Sequence, residues 1–440
     1  MKRLWEAHAY ADGPRADCAW RLDTDWPIVD GDLTTDIAVI GAGYTGLSAA
    51  LHLALAGEQV TVLEAKAPGW GASGRNGGFC CLGGAKVSDA MLVRRHGAGA
   101  DDDWFAAEVR AVDLVAELLD AHAIEAATHS DGELILAHRP RVFQAFGKER
   151  ERLSRRGIEA DILAPDALEA RGLNAAGTHG GLHIHKGFGL DPGAYAAGLA
   201  RAAVAAGADI RAATPVGAFK HERGDIRLTT PAGSVRARRV LIATGGYSSE
   251  DLPPWLAGRL LPVQSSVIVT RPLGEGELAA QGWTADLMAY DSRMFLHYFR
   301  LMPDRRFLFG MRGGNRATPA TEARIARRIR ADFAAMFPAW ADVEIAHEWS
   351  GLVTLTARGT PFVGAVPGLE RVWTALAYHG NGVAMGTYAG ALAADLVRGR
   401  RPALPFPAAL QDPPGRFPLA PLRRPLFAAA QPFLGLVDRL

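Results

Sequence analysis

The stretch DIAVIGAGYTGLSAALHLALAGEQVTVLE, residues 36–64, decides the fold. Asp36 to Ile40 is a short apolar run, Leu47, Ala50, Leu51 and Ala54 recur at helical spacing, and Gln59 to Leu63 is a second apolar run. The pattern predicts strand, helix, strand, with the two strands parallel and the helix crossing over them. Gly41, Gly43 and Gly46 stand at G-x-G-x-x-G spacing between the first strand and its helix. There the first glycine permits a tight turn, the second admits a pyrophosphate to the helix N-terminus, and the third lets helix and strand pack closely. Ala42, Tyr44 and Thr45 complete the candidate loop. Glu64 closes the second strand 18 residues after Gly46, followed by Ala65. A carboxylate there is placed to accept from ribose hydroxyls and disfavours a 2′-phosphate. A lone glycine triplet marks only a turn; with both strands, the helix and the acid in position, it marks a dinucleotide site.

Outward from this unit, residues 69–84 (GWGASGRNGGFCCLGG) form a Gly-rich loop where a second crossover helix would stand. Helical spacing resumes at Phe105, Val109, Val112, Ala116 and Leu119, and again at Ile325, Ile329, Phe333, Met336 and Phe337. Both helices are assigned to a second domain. Asp191 and Pro192 mark a helix start and Gly207 its end. Arg239 to Thr244 is an apolar strand running into Gly245, and the run from Arg371 to Ala377 meets HGNGVAMGTYAG, a Gly-rich turn opening a helix. Three glycine-marked strand ends far apart in sequence imply one nucleotide domain assembled from separate segments. The expected division is an arm over 1–34, a cofactor domain over 35–95, 186–258 and 346–400, a substrate domain over 96–185 and 259–345, and a tail over 401–440.

Composition sets the outer bounds. With 440 residues and 49% apolar content the chain can bury a large core. Arg outnumbers Lys 42 to 6, yet the formal net charge is +1 and the basic residues are interspersed with acids, which gives no nucleic-acid footprint. Cys18, Cys80 and Cys81 are too few for a disulfide framework, and a reducing cytoplasm is the expected compartment. The N-terminus lacks the apolar stretch of a signal peptide, and no run reaches the length of a membrane span. The Arg324, Arg327, Arg328 and Arg330 cluster reads as a solvated helix face. The tail from Arg416, apolar with Arg and Pro, is read as packing on the body or a second subunit, with a membrane surface as the alternative.

Taken together, GWGASGRNGGF after Glu64, ATGG at 243–246, HYFRLMPDRRFLFG, WSGLVTLTARGTPFVG and GNGVAMGTYAG resemble the D-amino-acid oxidase superfamily of FAD enzymes, in the branch containing gamma-glutamylputrescine oxidase. The resemblance runs from about residue 30 almost to the end. It implies an α/β fold: a discontinuous Rossmann-like FAD-binding domain plus a substrate domain on a mixed or antiparallel sheet with helices. It also implies that Ser73, Gly74, Arg75, Asn76, Gly77 and Gly78 run beside the cofactor. Val216 would lie near the adenine, with Ala243, Thr244 and Gly245 at a strand end by the cofactor. Gly380, Gly382, Val383 and Ala384 would set a helix N-terminus at the flavin, where the helix dipole favours developing negative charge. The C-terminal loop YHGNGV has no Cys, so FAD is expected to be held non-covalently. Cys80 and Cys81 read as small residues under the ring. Arg358 stands where relatives carry Asp. Aromatic monooxygenases show a G-D motif where this chain reads Gly380-Asn381, and disulfide reductases need a spaced Cys pair.

The implied reaction is oxidation of a C–N bond, an amine or amino acid being oxidised by loss of hydride to the flavin, with oxygen or a quinone as acceptor. A FAD-binding protein without turnover is the alternative class. Strand alternation puts His297 and Phe299 on one face and Tyr298 and Arg300 on the other, and either face is open to the pocket. His297 is a candidate proton acceptor or a structural histidine; Arg300 is a carboxylate clamp or a partner of a surface acid. Lys86, rare in type and close after the flavin loop, is a candidate for promoting reaction with oxygen. His379 is a candidate ring contact.

Overall fold

The computed structural model describes residues 1–222, 224–314 and 316–437. The opening unit folds as read: β1 (Leu33–Ile40), α1 (Tyr44–Leu55) and β2 (Val60–Leu63), with Ile37 to Ile40 parallel to Val60 to Leu63. Ile37 to Ile40 and all of β2 are buried on both faces, which is why these stretches are mostly apolar instead of alternating. Around them the sheet runs in the order Phe362–Ala365, Val372–Leu376, Gly233–Ile242, β1, β2, Asp209–Arg211, so four separate parts of the chain build it. The strands Ala218–Glu222 and Asp225–Thr230 join as an antiparallel extension beside Gly233–Ile242.

A second eight-stranded sheet is mixed. Its order is Ile345–Thr356, Leu260–Thr270, Phe307–Arg312, His297–Leu301, Met288–Asp291, Glu133–Leu136, Gly181–Ile184, Ala160–Leu163, antiparallel except where Met288–Asp291 meets Glu133–Leu136. The helix Pro319–Met336 covers one face, where Phe299, Phe307, Phe309, Phe333, Phe337, Trp283 and Trp340 form an aromatic core. Edge-to-face contacts such as Phe307 on Phe337, 4.8 Å between centroids, lock this core.

Two segments pack differently from the sequence reading. The stretch 346–356 belongs to a strand of the second sheet, paired along its length with Leu260–Thr270. The helix Ala100–Ala121 buries Trp104, Val112, Val115 and Leu118 in the core of the first sheet, against the helix Ala384–Val397. Its spacing showed a buried face but not which core received it. The cluster with Arg324 to Arg330 behaves as a solvated face, Arg330 pairing with Glu348 at 2.8 Å.

The arm is more deeply built in than an overlay. Trp5 and Trp20 are buried, Trp5 Nε1 donates to the Pro262 carbonyl at 2.8 Å, and Trp20 Nε1 donates to the Asn76 carbonyl at 2.9 Å. The tail folds back on the body: Arg423 pairs with Glu250 and donates to the Leu260 carbonyl, and Arg424 pairs with Glu6. Among the described residues no helix is long and apolar enough to cross a membrane.

Candidate active site

A cavity of about 580 Å³ opens where the C-terminal ends of the parallel strands meet the second sheet. Such a crevice is where open α/β sheets place their ligands. Its floor is the loop after β1. Gly41 has φ +102°, and a Cβ there would sit 2.8 Å from the Ala243 carbonyl. A Cβ on Gly46 would overlap the Gly41 carbonyl. Both positions therefore exclude a side chain, and the helix starts hard against the strand. Gly43 faces the cavity beside Ser73, whose Oγ accepts from the Tyr44 N–H at 2.9 Å.

Glu64 is half-buried at the end of β2. Its carboxylate accepts from the Ala42 N–H at 2.8 Å and the Lys66 N–H at 2.9 Å. Burial pushes its pKa above the ordinary carboxylate range, and these backbone donors oppose the shift. Arg75 stacks its guanidinium on Trp70, 4.1 Å from the centroid, and donates to the Trp70 and Ser350 carbonyls. Its Nη2 is buried and has no protein partner.

At the far end lies the turn before Ala384–Val397. Ala377, His379 and Gly380 all have positive φ, 70°, 53° and 102°. The side chain of Asn381 donates to the Cys81 carbonyl at 2.7 Å, tying this turn to the early Gly-rich loop, and its Oδ1 is buried without a partner. His379 also lines the cavity; burial, with Lys86 and Arg312 adding to it, lowers its pKa to about 4, so it is neutral near pH 7.

Of the expected cofactor contacts, Gly41, Gly43, Tyr44, Thr45, Glu64, Ala65, Ser73, Arg75, Asn76, Gly77, Val216, Ala243, Thr244, Gly245, Gly380, Gly382 and Val383 line this one cavity. Ala42, Gly46, Gly74, Gly78 and Ala384 do not. They shape the loops from behind, as when the Gly78 carbonyl accepts from the Leu190 N–H at 2.8 Å.

The four expected catalytic side chains divide evenly. Lys86 lines the cavity with His379. Lys86 is exposed on the cavity side; desolvation, with Arg312 nearby, lowers its pKa to about 8. His297 and Arg300 lie outside the lining. His297 faces the aromatic core, stacked 5.2 Å from Phe309, with Nδ1 2.7 Å from Asp291 and Nε2 3.3 Å from Asp332. Burial opposes its charge, but the two carboxylates prevail and raise its pKa. Arg300 is wholly buried: it donates to the Gly77 and Leu190 carbonyls at 2.8 and 2.7 Å, and to His129 Nε2 at 2.7 Å. Its partners are thus two backbone carbonyls and the His129 ring, not an acid on the surface.

Sequence reading passed over Arg312 and Tyr290 as site residues and offered Tyr298 only on one of two strand faces open to the pocket. In the strand Phe307–Arg312, Phe307, Phe309 and Met311 enter the aromatic core, so Arg312 points the other way, into the cavity. Among the described residues its guanidinium has no hydrogen-bond acceptor or ion-pair partner, and burial lowers its pKa. The Tyr298 ring lies over Gly310, where any Cβ would overlap it, and packs edge-on to Phe79 at 5.7 Å. Behind this wall Glu133, 1% exposed, is pushed by burial to a pKa of about 8 against hydrogen bonds from Tyr290 and Cys81. Period-2 alternation carried the signal for Arg312; nothing local carried it for Glu133.

Arg358 pairs with Asp412, so its departure from the related pattern is absorbed by the tail. Cys80 is buried in the core of the first sheet, and Cys81 faces the cavity with its thiol pKa raised by burial.

A family model described as FAD dependent oxidoreductase matches residues 36–396. A probable oxidoreductase OrdL of Rhizobium meliloti (strain 1021) is 33% identical over 85% of this chain and 86% of its own length. The gamma-glutamylputrescine oxidoreductase of Escherichia coli (strain K12) is 30% identical over 93% of this chain and 94% of its own. Among solved structures, glycine oxidase from Geobacillus kaustophilus superposes with a TM-score of 0.71 at 22% identity, covering 87% of this chain and all of the other, a likeness of fold.

Proposed function

The chain belongs to the FAD-dependent oxidoreductase (DAO) family, and from that premise we propose that it oxidises the C–N bond of an amine or amino acid that also carries a carboxylate. A gamma-glutamylated diamine is the favoured substrate, as in the name of the E. coli relative. The observation that carries this reading is Arg312, a guanidinium that faces the cavity beside Lys86 and has no partner among the described residues. A guanidinium left without a partner in a partly desolvated site is costly, and a carboxylate is its natural bidentate partner.

The residues present fit FAD. Bare glycines line the floor where a phosphate must approach backbone, and the orphaned Arg75 Nη2 and Asn381 Oδ1 offer a donor and an acceptor at the two ends. Gly41, Gly43, Glu64, Ser73, Arg75, Asn76, Ala243, Thr244, Gly380, Gly382 and Val383 would hold it non-covalently. Bound FAD supplies the hydride acceptor.

The substrate carbon loses a hydride and its nitrogen a proton; the imine so formed is hydrolysed to an aldehyde or keto acid. The protein's own contribution is electrostatic and geometric. Arg312 and Lys86 make the cavity positive, which attracts the carboxylate and disfavours the ammonium form of the reacting amine. Tyr298, Phe79 and Leu296 wall the site and exclude water. Lys86 is the proposed promoter of reoxidation, with oxygen favoured over a quinone as acceptor.

Anaerobic mixing tests this reading. A gamma-glutamylated diamine, then small amino acids, should bleach the flavin and yield the aldehyde or keto acid, and a peroxide assay in air separates oxygen from quinone. Reduction by NADH or a hydroxy acid within a turnover time, with no amine on a broad panel active, would overturn amine oxidation.

A further inference from the structure

The outer edge of the second sheet carries a group of side chains that the oxidation reaction does not use. The edge strand Ala160–Leu163 pairs antiparallel with Gly181–Ile184, setting Asp161 opposite His183. His185 follows two residues on, with its N–H bonded to the Glu159 carbonyl at 3.0 Å, so the pairing continues past the strand. Residues at i and i+2 share a face, and a directly opposed residue shares it too. Leu182 and Ile184 enter the apolar core on the other side. Asp161, His183 and His185 therefore converge, with the two imidazole rings 4.1 Å apart. One potential ligand atom from each lies within 4.8 Å of the others.

The protonation of His183 is set by its surroundings. Its Nε2 is 2.6 Å from the Asp131 carbonyl, which only accepts, so Nε2 carries the proton and Nδ1 presents a lone pair. That Nδ1 is buried and partnerless, in a residue 7% exposed. A histidine with one nitrogen donating to a backbone carbonyl and the other bare is the arrangement that orients metal-ligating imidazoles. His185 Nε2 lies 3.2 Å from Asp161 Oδ2, close to the about 3.4 Å between neighbouring ligands of a tetrahedral ion with bonds of about 2.0–2.1 Å.

We propose that Asp161, His183 and His185 form a site for a divalent transition-metal ion, with Zn²⁺ the first choice, which clamps the edge strand Ala160–Leu163 to its neighbour. Two imidazoles and a carboxylate are borderline ligands that suit Zn²⁺ or Cu²⁺ and discriminate against Ca²⁺ and Mg²⁺. The fourth position falls to water. The ion displaces one exposed pairing, Arg171 with Asp161 at 3.7 Å, which is weak. None of the three residues lines the cavity, so the site is independent of the amine-oxidation reading.

The test uses the FAD-bound protein stripped with EDTA and titrated with Zn²⁺ against a chromophoric chelator. The expected result is one equivalent bound, a higher melting temperature with Zn²⁺ and none with Mg²⁺. Asp161→Asn and His185→Gln, both at solvent-reachable positions, should weaken binding at least tenfold while the flavin spectrum stays unchanged; His183→Gln should do the same if it folds. Absence of a stoichiometric equivalent, or equal binding in Asp161→Asn and His185→Gln, overturns the proposal.

Discussion

The guanidinium of Arg312 packs so closely on Gly380 that a Cβ at that turn would overlap its Nη2. One strand end of the second sheet is thereby fixed against the loop that opens the helix Ala384–Val397, and a lone cation is delivered to the cavity. If that cation binds the substrate carboxylate, Arg312→Met should lower kcat/KM for a carboxylate-bearing amine roughly 10- to 100-fold, the value of one charge-assisted hydrogen bond. FAD content should not change, and a plain alkylamine of equal length should be affected little. Equal losses on both substrates would remove the carboxylate assignment.

Lys86 gives the site a pH dependence whose sign follows from its lowered pKa of about 8. Below that value it is charged and adds to Arg312 in attracting a carboxylate; above it the charge is lost. The reductive rate at saturation should rise with pH as the bound amine deprotonates, while kcat/KM should acquire a falling alkaline limb near pH 8. In Lys86→Met that limb should vanish, and reoxidation by oxygen should slow more than reduction does. Separate rapid-mixing measurements of the two half-reactions decide it. An unchanged alkaline limb in the variant sinks the electrostatic role, and unchanged reoxidation sinks the oxygen role.

Arg300 and His297 should behave as structural residues. Replacing Arg300 by Leu leaves the Gly77 and Leu190 carbonyls buried without their donor. At about 1–3 kcal/mol for each lost partner, the variant should be destabilised by several kcal/mol and bind FAD poorly. His297→Gln should shift the denaturation midpoint and leave KM within about twofold. A stable Arg300→Leu protein with a raised KM alone would restore Arg300 to substrate binding.

What was legible in the sequence follows the range of the interactions. Gly41, Gly46 and Glu64 were readable because a tight turn, a close helix approach and a strand end impose local rules. His297 and Arg300 were left open, since alternation gives two faces without saying which meets the cavity; the apolar Phe299 and Leu301 decide it only once the aromatic core is known. The same holds for the strand 346–356 and the helix Ala100–Ala121: their patterns declare a buried face but not its partner, which is Leu260–Thr270 for the strand and the core of the first sheet for the helix. Lys86 and Arg312 come together from positions 226 residues apart, beyond the reach of any periodicity.

Glu133 predicts a stability profile. Its carboxyl is held to a pKa of about 8 in the native chain, against about 4.5 unfolded, by burial. Between those values the unfolded state has released the proton and the native state retains it, so stability falls as pH rises from about 4.5 to 8. Glu133→Gln, neutral at every pH, should flatten this dependence and be on the order of a few kcal/mol less sensitive over the same interval. Urea midpoints at pH 5, 6.5 and 8 measure it. A wild-type slope matching the variant's would mean that Glu133 is already ionised in the fold.

The cofactor site can be tested by retention and by release. At Gly43 a side chain would meet Ser73 Oγ within 2.9 Å and project into the cavity, so Gly43→Val should fold but purify with little FAD. Glu64→Ala removes the acceptor of the Ala42 and Lys66 N–H groups as well as the proposed ribose partner, and should lose FAD with some loss of stability. Acid or heat denaturation of the wild type should set all flavin free in the supernatant: residues 378–383 contain no Cys, Cys80 is sealed in the core, and burial keeps the Cys81 thiol protonated and a poor nucleophile. Yellow colour left on the denatured chain, traced by mass to Cys81 or a histidine, would show that one of these had formed a bond to the cofactor. Stoichiometric FAD on folded Gly43→Val would show instead that the pyrophosphate approaches elsewhere along the cavity.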